Sequence, residues 1–515
     1  MPSPRSVAGD AAAEGTGAAS VNRNVVANFA GSAWAALVGL AFVPFYIRLM
    51  GIEAYGIVGI LVSLQAMFMV LDLGLSQTMS REMARLSVES GNARRMADTA
   101  RTLEVIYWCA SGIVALCVLA LAEFISQQWL NPVHLSRATL REAVWAMALV
   151  IGLRWPTALY AGAIVGLQRQ VLLNALLAGL STLQGVGALA VLWYINPSVQ
   201  YFLLWQAVVA FAQVALLRTV LYHCIGSRTG GGFRKEIVLR LWRFAAGMTG
   251  IALVSVLLTQ VDKILLSKLL SLADFGYYVF ATTAAGALYA LTSAVYSAYQ
   301  PKLAALAAQR DSSRLSRTYH RGCQAMAVAI VPAGAVLALF SGQLVFLWTR
   351  DPQMVGHTAL LITLLAIGNV LHGLMYLPYA LQLAFGWTRL ALVTNVVSVV
   401  VLLPAIYFSA LRWGAVGAAA VWIAVNVGYI AVSIQYMHRR LLGGEERNWY
   451  LQDVAKPLAV VVPIVGLGRA LLPADLSLPW MALGVAGVSL AALAAALYSV
   501  GSLNWPEKAP ESGRS

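Results

Sequence analysis

Charge is what this sequence has least of. Asp, Glu, Lys and Arg make up 11% of its 515 residues, against about a quarter in an ordinary soluble domain. With 60% hydrophobic residues and a mean hydropathy of +0.75, the chain cannot cover a core with polar surface, which excludes a water-soluble globule. Cysteine is scarce as well. Cys109, Cys117, Cys224 and Cys323 do not form a disulfide framework and read as free thiols. Recognisable reaction chemistry is also missing. No G-x-x-x-x-G-K-[ST] loop occurs, so there is no P-loop ATPase, and there is no H-E-x-x-H, paired-cysteine or G-x-S-x-G motif. The longest outward segment, residues 123–142, lacks the size and clustered acids of a membrane-enzyme active loop. A transporter is expected rather than an enzyme, with no catalytic residue, metal or cofactor.

What is there is apolar length. A crossing takes roughly 20 mostly apolar residues. Fourteen windows qualify: 25–47, 55–77, 103–123, 143–166, 170–194, 200–222, 244–267, 275–299, 323–347, 357–384, 390–410, 414–437, 457–472 and 480–500. The prediction is an all-α polytopic membrane protein of about fourteen spans. Residues 1–22 have no apolar core ahead of a cleavage site and read as a cytoplasmic tail, not a signal peptide. Residues 503–515 read as a second polar tail.

The net charge of +14 is distributed by segment. Arg81, Arg85, Arg94, Arg95 and Arg101 follow the second window, and Arg228, Arg234, Lys235, Arg240 and Arg243 the sixth. Lys302, Arg310, Arg314, Arg317 and Arg321 follow the eighth; Arg439, Arg440, Arg447 and Lys456 the twelfth. The intervening segments hold only Arg48, Arg137, Arg141, Lys268, Arg350 and Arg412. This is the positive-inside asymmetry, and it predicts two cytoplasmic termini. Membrane lipids account for the basic segments, so no nucleic-acid partner is called for.

The chain also repeats itself. Shifted by 220 positions, "RLMGIEAYG" (48–56) falls on "KLLSLADFG" (268–276) without a gap, and "MARL" (83–86) on "LAAL" (303–306). Six spans separate the copies, so both have the same orientation in the membrane. Such parallel repeats imply two six-helix lobes around a central cavity. The expected divisions are a tail at 1–22, a lobe at 23–223, a basic linker at 224–243, a second lobe at 244–438, a basic loop with an appended helix pair at 439–502, and a tail at 503–515.

A charge near mid-bilayer costs about 2.5–3.5 kcal/mol on insertion scales, so each one needs a partner or water. Arg154 in "VIGLRWPTALYAG" lies near the centre of the fourth span, with Pro156 bending the helix beside it. It is either a cavity cation for an anionic substrate or half of a buried ion pair. Asp262 and Lys263 sit near the outer end of the seventh span. As helix neighbours they point about 100° apart, so neither is expected to satisfy the other; they line a cavity or anchor the helix. Asp72 in "VLDLGLS" couples a cation or caps a helix, and His372 in "NVLHGLMYLPYALQ" relays protons or bonds helix to helix. Arg23, Arg48 and Lys268 lie at span ends as anchors, with Arg23 placed to face an inward-open mouth. Asn24, Asn28 and Trp34 give the first span a polar and aromatic side.

Residues 28–85, "NFAGSAWAALVGLAFVPFYIRLMGIEAYGIVGILVSLQAMFMVLDLGLSQTMSREMAR", resemble the opening of bacterial polysaccharide flippases of the O-antigen and teichoic-acid type, within the multidrug/oligosaccharidyl-lipid/polysaccharide exporter superfamily. "TQVDKILLSKLLSLADFGYYVFA" (259–281) resembles the corresponding point of that family's second half. The resemblance spans about residues 22–440. It implies alternating access and transfer of an undecaprenyl-pyrophosphate-linked oligosaccharide across the bacterial inner membrane, with polysaccharide polymerase and glycosyltransferases acting alongside. It also implies a cationic cavity, for which Arg154 and Lys263 are candidates; from their positions in the spans, Asp262, Arg23 and Arg48 are further candidates for lining a cavity, and Asp72 and His372 for coupling to protons or sodium. A lipid II flippase, a multidrug/cation antiporter of the same superfamily, and an enzyme of polysaccharide assembly are the alternatives.

Overall fold

The computed structural model describes residues 30–501 except 32, 73, 89–90, 227–230 and 474–475, with backbone alone over 70–71, 240–255 and 257. The expectations for Arg23, Asn24, Asn28 and the two tails lie outside these residues. Among the described residues all regular structure is helical. Among them, eleven helices are long and apolar enough to cross a membrane, where the windows predict fourteen. Two predicted windows, 390–410 and 414–437, share the 54-residue helix Thr388–Leu441, whose backbone breaks at Gly414 (φ 59°). The window at 55–77 meets a helix of 17 residues, Ile52–Phe68, followed by a 3₁₀ turn at Met69–Asp72.

The chain divides into two compact units, one ending at Phe280 and one beginning at Ala281. The first holds α1 (Ala33–Met50), α2 (Ile52–Phe68), α3 (Leu75–Ser87), α4 (Ala93–Ala120), α5 (Arg137–Arg154), α6 (Thr157–Gly166), α7 (Gln170–Tyr194), α8 (Val199–Ile225), α9 (Lys235–Leu269) and the start of α10 (Leu272–Gly286). The basic segment after the second window is mostly helix, not loop. Met79, Met83 and Leu86 recur at helical spacing on α3 and pack against Leu103 and Tyr107 of α4 and Leu159 and Ala163 of α6. Burying a side chain of methionine size stabilises by about 1.5–3 kcal/mol, which is enough to carry a helix whose other face is polar and which a hydropathy window therefore passes over.

The repeat is visible as a reciprocal contact inside this unit. A Cβ built on Gly276 would lie 2.2 Å from the Ile52 carbonyl oxygen, and one on Gly56 2.7 Å from that of Leu272. Positions 52 and 56 correspond to 272 and 276 under the 220-residue shift, so each copy sets its glycine on the other's backbone. Only glycine permits so close an approach. The outward segment is stitched over this crossing. The buried Glu53 carboxylate accepts the backbone N–H groups of Val133, His134 and Leu135 at 2.5, 2.9 and 3.2 Å, and Asn131 bonds the carbonyls of Lys268 and Leu270.

The second unit holds α11 (Leu288–Gln309), α12 (Ser312–Leu339), α13 (Ser341–Thr349), α14 (Pro352–Leu374), α15 (Tyr376–Ala384), α16 (Thr388–Leu441), α17 (Lys456–Leu471) and α18 (Leu478–Gly501). Its core joins Tyr319, Met326 and Ile330 of α12 to Leu377, Val461, Val465 and Ala492, so the last helix pair packs on α12. A π-helical turn at Trp449–Ala455 aims Asp453 inward, a use to which such turns are often put. His320 Nδ1 lies 2.5 Å from Asp453 Oδ2 and its Nε2 3.3 Å from Glu445, while Gln324 donates to the other Asp453 oxygen. This polar knot locks the link before α17 onto α12.

Candidate functional site

The site in the first unit begins with a proline. Pro156 has no N–H, so the helix carrying Arg154 cannot continue its hydrogen-bond ladder, and α5 ends at Arg154 while α6 starts at Thr157. The Gly152 carbonyl, four residues before the proline, accepts instead from the Ser111 hydroxyl of α4. The Arg154 carbonyl accepts from Thr157 Oγ1 at 2.5 Å. The break is thus satisfied locally and holds Arg154 where it is.

The half-buried guanidinium of Arg154 meets amides, not acids. Nη2 donates to Gln206 Oε1 of α8 at 3.0 Å, and Nη1 reaches Gln65 Oε1 of α2 at 3.5 Å. Gln184 of α7 donates to the same Gln206 oxygen at 2.5 Å. Arg154 Nε and Gln65 Nε2 are buried donors with no acceptor among the described residues. Of the two options for Arg154, the ion pair with a carboxylate is not what the described residues form. A good hydrogen bond to a charged group contributes about 1.5–3 kcal/mol, which offsets much of the insertion cost but leaves the charge itself uncancelled.

The other predicted residues that the structure describes do not join this cluster. Lys263 and Asp262 correct an expectation: Lys263 Nζ lies 3.5 Å from Asp262 Oδ1 and donates to the Thr259 carbonyl at 3.2 Å. The four-carbon stem is long enough to fold back across the angle between neighbours. Asp262 also accepts from the Tyr278 hydroxyl at 2.6 Å. Arg48 is exposed in the last turn of α1. Asp72 accepts from the hydroxyls of Tyr107 and Ser76 and, at 3.4 Å, from the Ser76 amide at the start of α3, which is a capping arrangement. His372 Nδ1 lies 3.0 Å from Asn426 Oδ1, a bond from α14 to α16. Trp34 donates to Thr182 Oγ1 at 2.9 Å and ties α1 to α7. The four cysteines are free thiols.

Sequence reasoning missed the three glutamines, each a lone amide in an apolar window: "ILVSLQAMF", "STLQGVG" and "LLWQAVV". It also missed Glu104, 2% exposed. That carboxylate takes Arg218 at 2.6 Å, Arg101 at 3.1 Å, and the hydroxyls of Tyr160 and Tyr222 at 2.9 and 3.0 Å. It fastens α4 to α6 and α8.

A bundle of helices long and apolar enough to cross a membrane defines a multi-pass membrane protein, and the comparisons with known proteins make it a transporter. The chain belongs to the polysaccharide biosynthesis protein family, which matches residues 46–349. A protein of Shigella flexneri whose provisional name is O-antigen transporter is 21% identical over 428 residues, covering 82% of this chain and 98% of its own. Among solved structures, the lipid II flippase MurJ in an inward closed conformation superposes with a TM-score of 0.67 at 11% identity, over 92% of this chain and 97% of its own. An inward-facing multidrug-resistance MATE transporter of the MOP superfamily gives 0.65 at 13% identity, over 79% and 94%. These likenesses establish the fold.

Proposed function

We propose that the protein is a flippase that carries an undecaprenyl-pyrophosphate-linked oligosaccharide across the bacterial inner membrane for cell-surface polysaccharide synthesis. The alternating basic segments support a topology with both termini cytoplasmic. The observation that carries the reading is Arg154, a guanidinium inside an apolar helix bundle held by glutamine oxygens and, among the described residues, by no carboxylate. Such a group attracts phosphate strongly in a low-dielectric setting and can engage it bidentately. Alternating access releases the cargo, because opening the site to water weakens that attraction. The O-antigen name of the Shigella relative points to the same cargo class.

The superposition on MurJ favours a second reading, lipid II as cargo, which shares the pyrophosphate. Depletion separates the two, since loss of lipid II transport lyses cells. The test of the leading reading is Arg154→Gln in a host without its own copy. The variant inserts at the normal level while surface polysaccharide falls by about tenfold or more, as the loss of one charged contact of about 1.5–3 kcal/mol dictates. Normal surface polysaccharide in that strain removes Arg154 from the mechanism.

A further inference from the structure

The second unit holds a set of aromatic residues that nothing above uses. Tyr289 and Tyr296 stand seven residues apart on α11, hence on one face, and Tyr376 and Tyr379 three apart on α15. The Tyr376 ring meets Tyr296 edge-on at 5.7 Å and His372 edge-on at 5.5 Å, and His372 meets Trp422 of α16 at 5.2 Å. Asn369 fixes the arrangement: its Oδ1 accepts from the Trp422 indole at 3.0 Å and the Tyr289 hydroxyl at 3.3 Å, and its Nδ2 donates to the Ala285 carbonyl at 3.0 Å.

These rings are not a headgroup belt, in which each tyrosine points outward to the interface. They come from different helices and pack on one another. The hydroxyls of Tyr296, Tyr376 and Tyr379 make no hydrogen bond among the described residues, and each of the three side chains is half-buried, open to the surface. A hydroxyl left so inside a membrane helix must be hydrated or meet a polar cargo. Among the described residues, the ring and hydrogen-bond contacts of Tyr296, His372, Tyr376 and Trp422 in this wall include no carboxylate or cation.

We infer that this wall is a binding subsite for the uncharged glycan part of the cargo. The inference rests on the flippase reading above and adds where the sugar is held. The C–H face of a pyranose carries slight positive charge and stacks on the negative face of an aromatic ring, while its hydroxyls take and give bonds to tyrosine hydroxyls. A hydrophobic drug would leave those hydroxyls unpaired, and an organic cation would lack a counter-charge here.

The experiment uses the purified full chain in lipid nanodiscs and two probes. One is the oligosaccharide freed of lipid and phosphate by mild acid from the host's own lipid-linked pool, titrated by saturation-transfer NMR. The other is undecaprenyl pyrophosphate without sugar. Tyr376→Leu weakens oligosaccharide binding roughly threefold to tenfold, Tyr296→Phe with Tyr376→Phe weakens it by a smaller factor without disturbing the rings, and neither changes binding of the sugar-free lipid. Arg154→Gln does the reverse. Unchanged oligosaccharide binding in both tyrosine variants overturns the subsite, as does a wild-type protein that binds the sugar-free lipid but no oligosaccharide. A wild type that binds neither probe overturns the flippase reading itself.

Discussion

Replacing Gly276 by alanine tests whether the reciprocal glycine crossing holds α2 against α10. The added Cβ would sit 2.2 Å from the Ile52 carbonyl oxygen, and restoring an ordinary contact of 3.4 Å requires the helices to part by about 1.2 Å. At Gly56 the same change meets Leu272 O at 2.7 Å and requires about 0.7 Å. Overpacking of this kind costs about 1–3 kcal/mol, a shift of about 5- to 150-fold in the population of the closed contact. Alanine improves each helix by about 1 kcal/mol on its own, so any loosening comes from the crossing and not from a frayed helix. The assay is maleimide labelling of a cysteine at Leu272, 1% exposed, after the four native cysteines are replaced. Labelling accelerates at least fivefold with Gly276→Ala and by less with Gly56→Ala. Equal rates in all three proteins, or the reverse order, refute the crossing as the restraint.

Glu104→Gln removes the carboxylate that two arginines and two tyrosines share. Because Arg218 and Arg101 are 46% and 44% exposed, the ion pairs are screened and the expected loss is about 2 kcal/mol, read as a lower melting temperature by fluorescence-detected size exclusion; an unchanged melting temperature removes the hub from the stability account. Gln206→Glu places a carboxylate beside Arg154, where the present contact is 3.0 Å. A pair at that range contributes up to about 4 kcal/mol at an effective dielectric of 20, so this variant is at least as stable as the wild type yet exports little polysaccharide, and wild-type export would falsify the anion role of Arg154.

The lipid environment, the helical class and the repeat were legible because each is written in many residues at once. The 220-residue register even paired the two glycines that each pack on the other copy's backbone. Arg154 stood out because a lone charge in an apolar run is conspicuous. Its surroundings did not, because Gln65, Gln184 and Gln206 are neutral and come from α2, α7 and α8, and nothing local to each helix says that they converge. Asp262 and Lys263 were misjudged because the angle between Cβ directions ignores the reach of a lysine stem. The basic segments looked like loops for a related reason. A helix such as α3, buried on one side through Met79 and Met83 and polar on the other, averages to low hydropathy.

Among the described residues, ionic groups at least half withdrawn from water fall into two kinds, and the difference points to function. Glu53 has three backbone donors, Glu104 two arginines and two tyrosines, and Asp72 two hydroxyls and an amide. These are satisfied by the fold and hold segments together. Arg154 is held just as firmly by the Pro156 break and the Gln206 oxygen, but its charge is left standing. A structural arginine gains most from a carboxylate, since removing one partner of a buried pair is strongly destabilising. A cargo-binding arginine must avoid one, because an internal anion would compete with the cargo at an effective concentration no solute could match. Amide oxygens resolve the conflict: they orient the guanidinium and repay part of its desolvation, and under the flippase proposal they would give way to the phosphate of the cargo.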